Sequence, residues 1–183
     1  MKISRGMKIA GLAIGVALVA MAVALVAFVA FMLYVGSDTL SGRATGSELL
    51  EPDAAATGRA LVVYNPGLSG APKEAATLIA NDLKARGYSV TLAGVNSTAA
   101  ADTAGYDVIV AGGPVYGGQV SPSIQSYLKA LDPPENAKVG AFAIGGSEGQ
   151  AFPDAPWLKA TVLLPWGKES EKLRAGFVAE LLE

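Results

Sequence analysis

The 183-residue sequence contains neither cysteine nor histidine. Without cysteine the chain can form no disulfide bond, thiolate nucleophile, cysteine-ligated zinc site or iron–sulfur cluster. Without histidine it lacks a member of the Ser-His-Asp triad, the usual proton shuttle near neutral pH and the most common transition-metal ligand. Redox or other demanding chemistry in this protein therefore requires a bound cofactor.

Charged residues are also few and nearly balanced. The 14 basic and 16 acidic residues give a net charge of -2. Because the basic residues are scattered along the chain, the sequence shows no nucleic-acid-binding surface. The dinucleotide fingerprint G-x-G-x-x-G and the Walker sequence GK[ST] are absent, which disfavours NAD and ATP as ligands.

The N-terminal region contains one long apolar run, from Ile9 to Val35. Its length of roughly 27 residues exceeds the ~20 that a helix needs to cross the hydrocarbon core of a bilayer. It is also longer than the core of a secretory signal, about 7–15 residues, although a cleaved signal remains the alternative interpretation. We predict a basic flank over residues 1–8 and a single transmembrane helix over residues 9–35.

The charges that flank this run predict its orientation. Lys2, Arg5 and Lys8 precede it, whereas Asp38 and Arg43 follow it. By the positive-inside rule, the N-terminus is expected in the cytoplasm and the rest of the chain outside it. Residues 36–58 are small, polar and without periodicity, which predicts a flexible linker to a soluble domain over residues 59–183.

The soluble domain alternates between strand-like and helix-like segments. Strands are predicted at 61–64, 88–95, 106–112, 138–144 and 160–164, and the main helices begin at Pro72, at Pro122 and near residue 168. In the first helix, Ala75, Ala76, Ile79 and Leu83 recur at helical spacing and form one apolar face. Continuous apolar strands alternating with helices predict a doubly wound, five-stranded parallel sheet of order 2-1-3-4-5. In that order a ligand crevice lies between strands 1 and 3.

Three of the predicted strands end in glycine-rich loops. These are residues 65–71, Pro114–Gly118 and Gly145–Gly149, and they follow neighbouring strands of the predicted sheet. The first loop leads into the helix that Pro72 begins. A helix N-terminus presents unpaired N–H groups and partial positive charge, which suit a phosphate group.

The segments Ser69-Gly70-Ala71-Pro72-Lys73, Gly113-Pro114-Val115-Tyr116-Gly117-Gly118 and Gly145-Gly146-Ser147 resemble the flavodoxin family. The resemblance covers residues 59–183 and implies a flavodoxin-like fold that binds flavin mononucleotide (FMN). It assigns the phosphate to Ser69, Gly70 and Ala71. It assigns the isoalloxazine ring to Pro114, Val115, Tyr116, Gly117 and Gly118 on one side and to Gly145, Gly146 and Ser147 on the other. Tyr116 is the residue expected to stack on the ring.

Three functions follow as hypotheses from the resemblance and the apolar run. The first is a membrane-tethered flavodoxin-like protein that binds FMN and transfers electrons between redox partners. The second is a flavodoxin-fold module that has lost flavin and acts as a tethered binding or scaffold domain, which the low hydroxyl content of the first loop favours. The third is an FMN-dependent quinone reductase, because a tether keeps the site near membrane quinones.

The predicted orientation can be tested with reporter fusions after Glu183. We expect a reporter that is active only outside the cytoplasm to be active in this fusion, because three basic residues precede the span and one follows it. A cytoplasm-only reporter fused at the same position is the matched control and is expected to be inactive. The opposite pattern of activity would overturn the assignment.

Overall fold

The computed structural model describes residues 5–36, 44–145, 152–165 and 170–183. The chain divides into two units, residues 1–37 and 38–183. The first unit contains helix α1, Arg5–Gly36. Within α1, the 20 residues Ile14–Leu33 have a mean hydropathy of 2.9 and are long and apolar enough to cross a membrane, a property shared by signal sequences.

The described residues of the second unit form seven strands and four helices. The strands are β1 (Ser47–Leu50), β2 (Gly58–Tyr64), β3 (Tyr88–Gly94), β4 (Val108–Tyr116), β5 (Gln119–Val120), β6 (Lys138–Ile144) and β7 (Leu158–Leu164). The helices are α2 (Ala71–Ala85), α3 (Thr98–Ala101), α4 (Pro122–Ala130) and α5 (Ser170–Leu182).

The sheet confirms the predicted topology. Its order is β1-β3-β2-β4-β6-β7, and the five strands β3, β2, β4, β6 and β7 are parallel. Numbered along the chain, these five strands have the order 2-1-3-4-5. This is the flavodoxin-like fold. Two short strands are added to it: β1 pairs antiparallel with β3, and β5 pairs antiparallel with β4.

Helices cover both faces of the sheet and divide the core into two layers. Val62 of β2 belongs to the layer beneath α2 and α5, whereas its neighbours Leu61 and Val63 belong to the layer beneath α3 and α4. Adjacent strand residues point to opposite faces, so coverage on both sides buries consecutive residues. The predicted apolar face of α2 is buried as expected, and the Arg174–Asp82 ion pair, 3.2 Å long, joins α5 to α2.

Two segments differ from the sequence prediction. Residues 47–50, expected in a flexible linker, form β1, because the outer edge of β3 offers unpaired backbone groups and Leu50 packs on the core. Strand β4 continues to Tyr116, past the point where a loop was expected. Gly117 and Gly118 then form a two-residue turn into β5, with φ angles of 57° and 84°, as a type I′ hairpin requires.

The centre of the sheet depends on one close approach. Gly112 of β4 lies opposite Phe142 of β6, and a Cβ atom at Gly112 would overlap the Phe142 ring. Phe142 is the largest of the fully buried side chains among the described residues. Glycine at position 112 therefore makes room for the aromatic ring that fills the layer beneath α2 and α5.

Substituting this glycine should destabilise the fold. We expect Gly112→Ala to lower the free energy of unfolding by about 1–3 kcal/mol, because a methyl group forces the Phe142 ring out of place. Gly176→Ala is the matched control: this site lies inside α5 with open space around it, so the change should raise stability by about 0.5–1 kcal/mol. Urea unfolding of the two variants measures both values. Equal effects would contradict the packing argument.

Candidate functional site

The carboxyl edge of the sheet contains a topological switch point. The chain leaves β2 for α2 on one face, and it leaves the adjacent strand β4 for α4 on the other face. Two neighbouring strands whose connections diverge in this way leave a crevice between their carboxyl ends, where ligands of open α/β sheets bind. The loop of residues 65–71 and the β4–β5 hairpin border this crevice.

Asn65, the first residue after β2, joins three elements at the crevice. Its side chain is completely buried. The amide nitrogen Nδ2 donates to Ser121 Oγ at 3.1 Å and to Ser123 Oγ at 3.0 Å, at the start of α4. Its Oδ1 accepts the N–H of Gly67 at 2.9 Å, and its backbone N–H donates to the Gly112 carbonyl at 3.0 Å. One residue thus positions loop 65–71, with its backbone bonded to β4 and its side chain bonded to α4.

Tyr116 lies against the same loop. Its hydroxyl accepts the N–H of Leu68 at 3.3 Å. Gly67 has a φ of 59°, and a Cβ atom there would come within 2.9 Å of Pro114 Cγ and 3.2 Å of the Tyr116 hydroxyl. Only glycine allows this contact without strain. The phenol end of Tyr116 therefore closes the hairpin onto loop 65–71.

Most backbone N–H groups of loop 65–71, the expected phosphate loop, already donate to acceptors within the site. Besides those of Gly67 and Leu68, the N–H of Gly70 donates to the Pro66 carbonyl at 3.1 Å. Ser69 Oγ accepts the N–H of Ala71 at 3.3 Å, and the Gly70 carbonyl accepts that of Lys73 at 3.0 Å. Pro72 has no N–H. A phosphate at this loop would therefore have to replace internal acceptors.

The electrostatic environment of the loop is nearly balanced. Lys73 and Glu74 occupy the first turn of α2 side by side, and the Lys73 ammonium lies 5.9 Å from the centre of the Tyr64 ring. Among the described residues, the clear pKa shift lies away from this loop, on α4. Burial, and secondarily Tyr106, raise the pKa of the Tyr127 hydroxyl on α4. A bound anion at loop 65–71 would thus depend on backbone donors more than on net charge.

The structure brings together most of the residues that the sequence pointed to. Ser69, Gly70 and Ala71 form the entrance to α2, and Pro114, Val115, Tyr116, Gly117 and Gly118 form the hairpin beside it. Gly145 directly follows β6 with a φ of 79°. Gly146 and Ser147 lie outside the described residues. A cavity of about 240 Å³ lies near the start of α2 and the ends of β6 and β7; among its described lining residues, Ala71 alone belongs to this set.

The comparison with solved structures finds a structural likeness at low sequence identity. The flavodiiron core of Flv1 from Synechocystis sp. PCC6803, in a metal-soaked structure, is 18% identical to this chain with a TM-score of 0.48. The match covers 72% of this chain and 38% of that one, so this chain spans well under half of that structure. No protein-family model and no curated protein matches the chain.

The geometry of the site meets part of what FMN requires. The hairpin fits a flat ring, because the Tyr116 side chain is half-buried at the crevice and two glycines follow it without side chains. The loop offers backbone donors at the N-terminus of a 15-residue helix, which is the kind of donor a phosphate requires. These donors become available only if loop 65–71 exchanges its internal hydrogen bonds. Within the described ranges, no group of three or more carboxylates is placed to hold a metal ion.

Sequence reasoning missed the role of Asn65. The signal was present, because an Asn-Pro-Gly sequence directly after a buried strand is typical of an Asx turn, in which the side chain bonds the backbone two residues on. The sequence could not show that the same amide reaches Ser121, 56 residues away. Ser121 occupies the N-cap position of α4, but its hydroxyl makes no capping bond and instead accepts from Asn65.

The importance of this junction can be measured directly. We expect Asn65→Ala to lower the free energy of unfolding by about 1–3 kcal/mol, because it leaves the Gly67 N–H and the two serine hydroxyls without their buried partner. Asn96→Ala is the matched control, since that side chain is exposed; its effect should stay within about 0.5 kcal/mol. A loss for Asn65→Ala no larger than the control would show that the junction is not needed for stability.

Proposed function

We propose that the protein binds FMN in the crevice between loop 65–71 and the β4–β5 hairpin, and that it transfers electrons between redox partners. The observation that carries the proposal is that these two segments meet at the β2/β4 switch point, where Tyr116 of the hairpin contacts loop 65–71. Ligands of this sheet topology bind at that point. Because the sequence contains neither cysteine nor histidine, redox chemistry at this site needs a cofactor.

In this proposal each segment has a separate task. Tyr116 supplies a ring face for stacking, worth about 0.5–1.5 kcal/mol beyond area burial. Gly117 and Gly118 let the backbone approach the edge of the flavin. The N–H groups of Gly70 and Ala71 turn from internal acceptors to the phosphate, and Ser69 Oγ turns from accepting the Ala71 N–H to donating to the phosphate. When bound, FMN supplies the one- and two-electron chemistry.

Helix α1 serves as the anchor in the same proposal. Its 20-residue apolar segment is long enough to cross a bilayer. An anchored electron carrier meets its partners in two dimensions, so membrane-bound redox proteins and quinones are the partners we favour. The orientation predicted from the flanking charges places the flavodoxin-fold domain outside the cytoplasm.

A flavin-free binding module is the second candidate, and one observation favours it. The N–H groups of Gly67, Leu68, Gly70, Ala71 and Lys73 already have acceptors within the site. Because these donors already have acceptors, the loop does not require a ligand to satisfy them. In that case the carboxyl edge binds a protein partner instead of a flavin.

Titration of the full-length chain with FMN separates the two candidates. We expect micromolar quenching of flavin fluorescence by the wild-type protein. Tyr116→Ala should weaken binding by about 2- to 10-fold through lost stacking, whereas Tyr116→Phe keeps the ring, releases the Leu68 N–H and should bind at least as tightly.

The phosphate side is tested separately by Ser69→Asp. A carboxylate at this position repels the phosphate and should weaken binding, whereas Ser126→Asp, on an exposed site of α4, should not. Circular dichroism controls for folding. A folded wild-type chain that quenches no flavin at high FMN concentration would overturn the electron-carrier proposal and leave the flavin-free module.

A further inference from the structure

Residues 44–50, which we name the strap, lie along the outer edge of β3. Within the strap, β1 pairs antiparallel with β3, from Ser47 opposite Ala93 to Leu50 opposite Val90. The strap continues beyond β1 toward the carboxyl edge. There the N–H of Gly94 donates to the Gly46 carbonyl and the N–H of Asn96 donates to the Ala44 carbonyl, both at 2.9 Å.

The strap is held mainly by its backbone. Ala44 is 3% exposed and Leu50 is half-buried, but Ser47, Glu48 and Leu49 are exposed, and Leu49 to the extent of 60%. The strap therefore buries few apolar side chains. Segments with few buried contacts and hydrogen bonds near solvent open at much lower free energy than the core.

The end of the strap fits closely against one glycine. A Cβ atom at Gly94 would overlap the backbone of Ala44, including its carbonyl group. By contrast, a Cβ atom at Gly46 would meet nothing within 4 Å. The contact between Gly94 and Ala44 is therefore the point at which the strap can be displaced selectively.

The strap also covers a corner of the domain beside the candidate site. A niche of about 170 Å³ is bordered by strap residues Gly46, Ser47 and Glu48 and by Tyr64, Lys73 and Leu92 of the domain. Tyr64 is the last residue of β2, and its carbonyl accepts the N–H of Val95 at 2.9 Å. Across this niche the strap faces the end of β2, from which loop 65–71 begins, and the first turn of α2.

We propose that the strap is a releasable latch. Its detachment exposes the outer edge of β3 and opens the corner formed by Tyr64 and Lys73, while the remaining sheet stays folded. Among the described hydrogen bonds of the strap, the one from the Asn96 N–H to the Ala44 carbonyl lies nearest to the N-terminus. The latch is independent of whether the crevice binds FMN.

Hydrogen exchange in the full-length chain, resolved by residue with NMR in detergent micelles, tests the latch. The amides of Gly94 and Asn96 donate to the strap, whereas those of Val95 and Asn65 donate to the core acceptors Tyr64 and Gly112. We expect the first pair to exchange at least about tenfold faster than the second. Equal rates for the two pairs would overturn the proposal.

Two matched pairs of variants sharpen the test. Gly94→Ala and Ala44→Asp should each raise exchange at Asn96 about tenfold or more while the amides of Val95 and Asn65 stay protected. The controls Gly46→Ala, in open space, and Ser47→Asp, on an exposed side chain, should leave the Asn96 amide unchanged. Loss of protection throughout the sheet in both displacing variants would show that the strap is part of the core. Unchanged protection at Asn96 would show that attachment of the strap does not depend on the contact between Gly94 and Ala44.

Discussion

The buried amide of Asn65 is the interaction on which the carboxyl edge depends. It satisfies three hydrogen-bonding partners at once, one in its own loop and two at the start of α4, without contact with solvent. A buried amide with these partners tolerates little displacement, since an unpaired polar group inside the protein is costly. The positions of Gly67, Tyr116 and the entrance to α2 all follow from this junction.

The same junction makes loop stability and anion binding compete. Donors that now bond to Pro66, Ser69, Gly70 and Tyr116 are the donors a phosphate would use. Any ligand of this loop gains only the difference between its own hydrogen bonds and the internal ones that it replaces. Tyr116 takes part in both, because its ring borders the crevice while its hydroxyl accepts a hydrogen bond from the loop.

The two faces of the sheet are covered unequally by helices, and segments outside the helices and the five parallel strands complete the coverage. Helices of 15 and 13 residues cover one face, whereas α4 and the single turn of α3 lie on the other, where Phe152 and Trp157 pack against the core from outside regular helices. At the edge, β1 protects β3 from pairing with other strands. These additions are small, and they occur where the central strands alone would leave apolar or backbone groups in water.

The sequence by itself determined that a long apolar helix, five core strands and the buried face of α2 would form. Each of these depends on local periodicity: Ala75, Ala76, Ile79 and Leu83 recur at helical spacing, and runs such as Val108–Ala111 are apolar throughout. The order of the strands was predicted from the topology common to sheets of alternating strands and helices. Tertiary structure decided the rest. The Gly117-Gly118 pair is a hairpin signal, but β4 extends to it through pairing with β6 as far as Pro114 and then with β5 at Val115 and Tyr116. Strand β1 forms because β3 has an open edge, and Asn65 reaches Ser121 because β2 and β4 are adjacent. Such contacts join residues distant in sequence, and no local pattern encodes them.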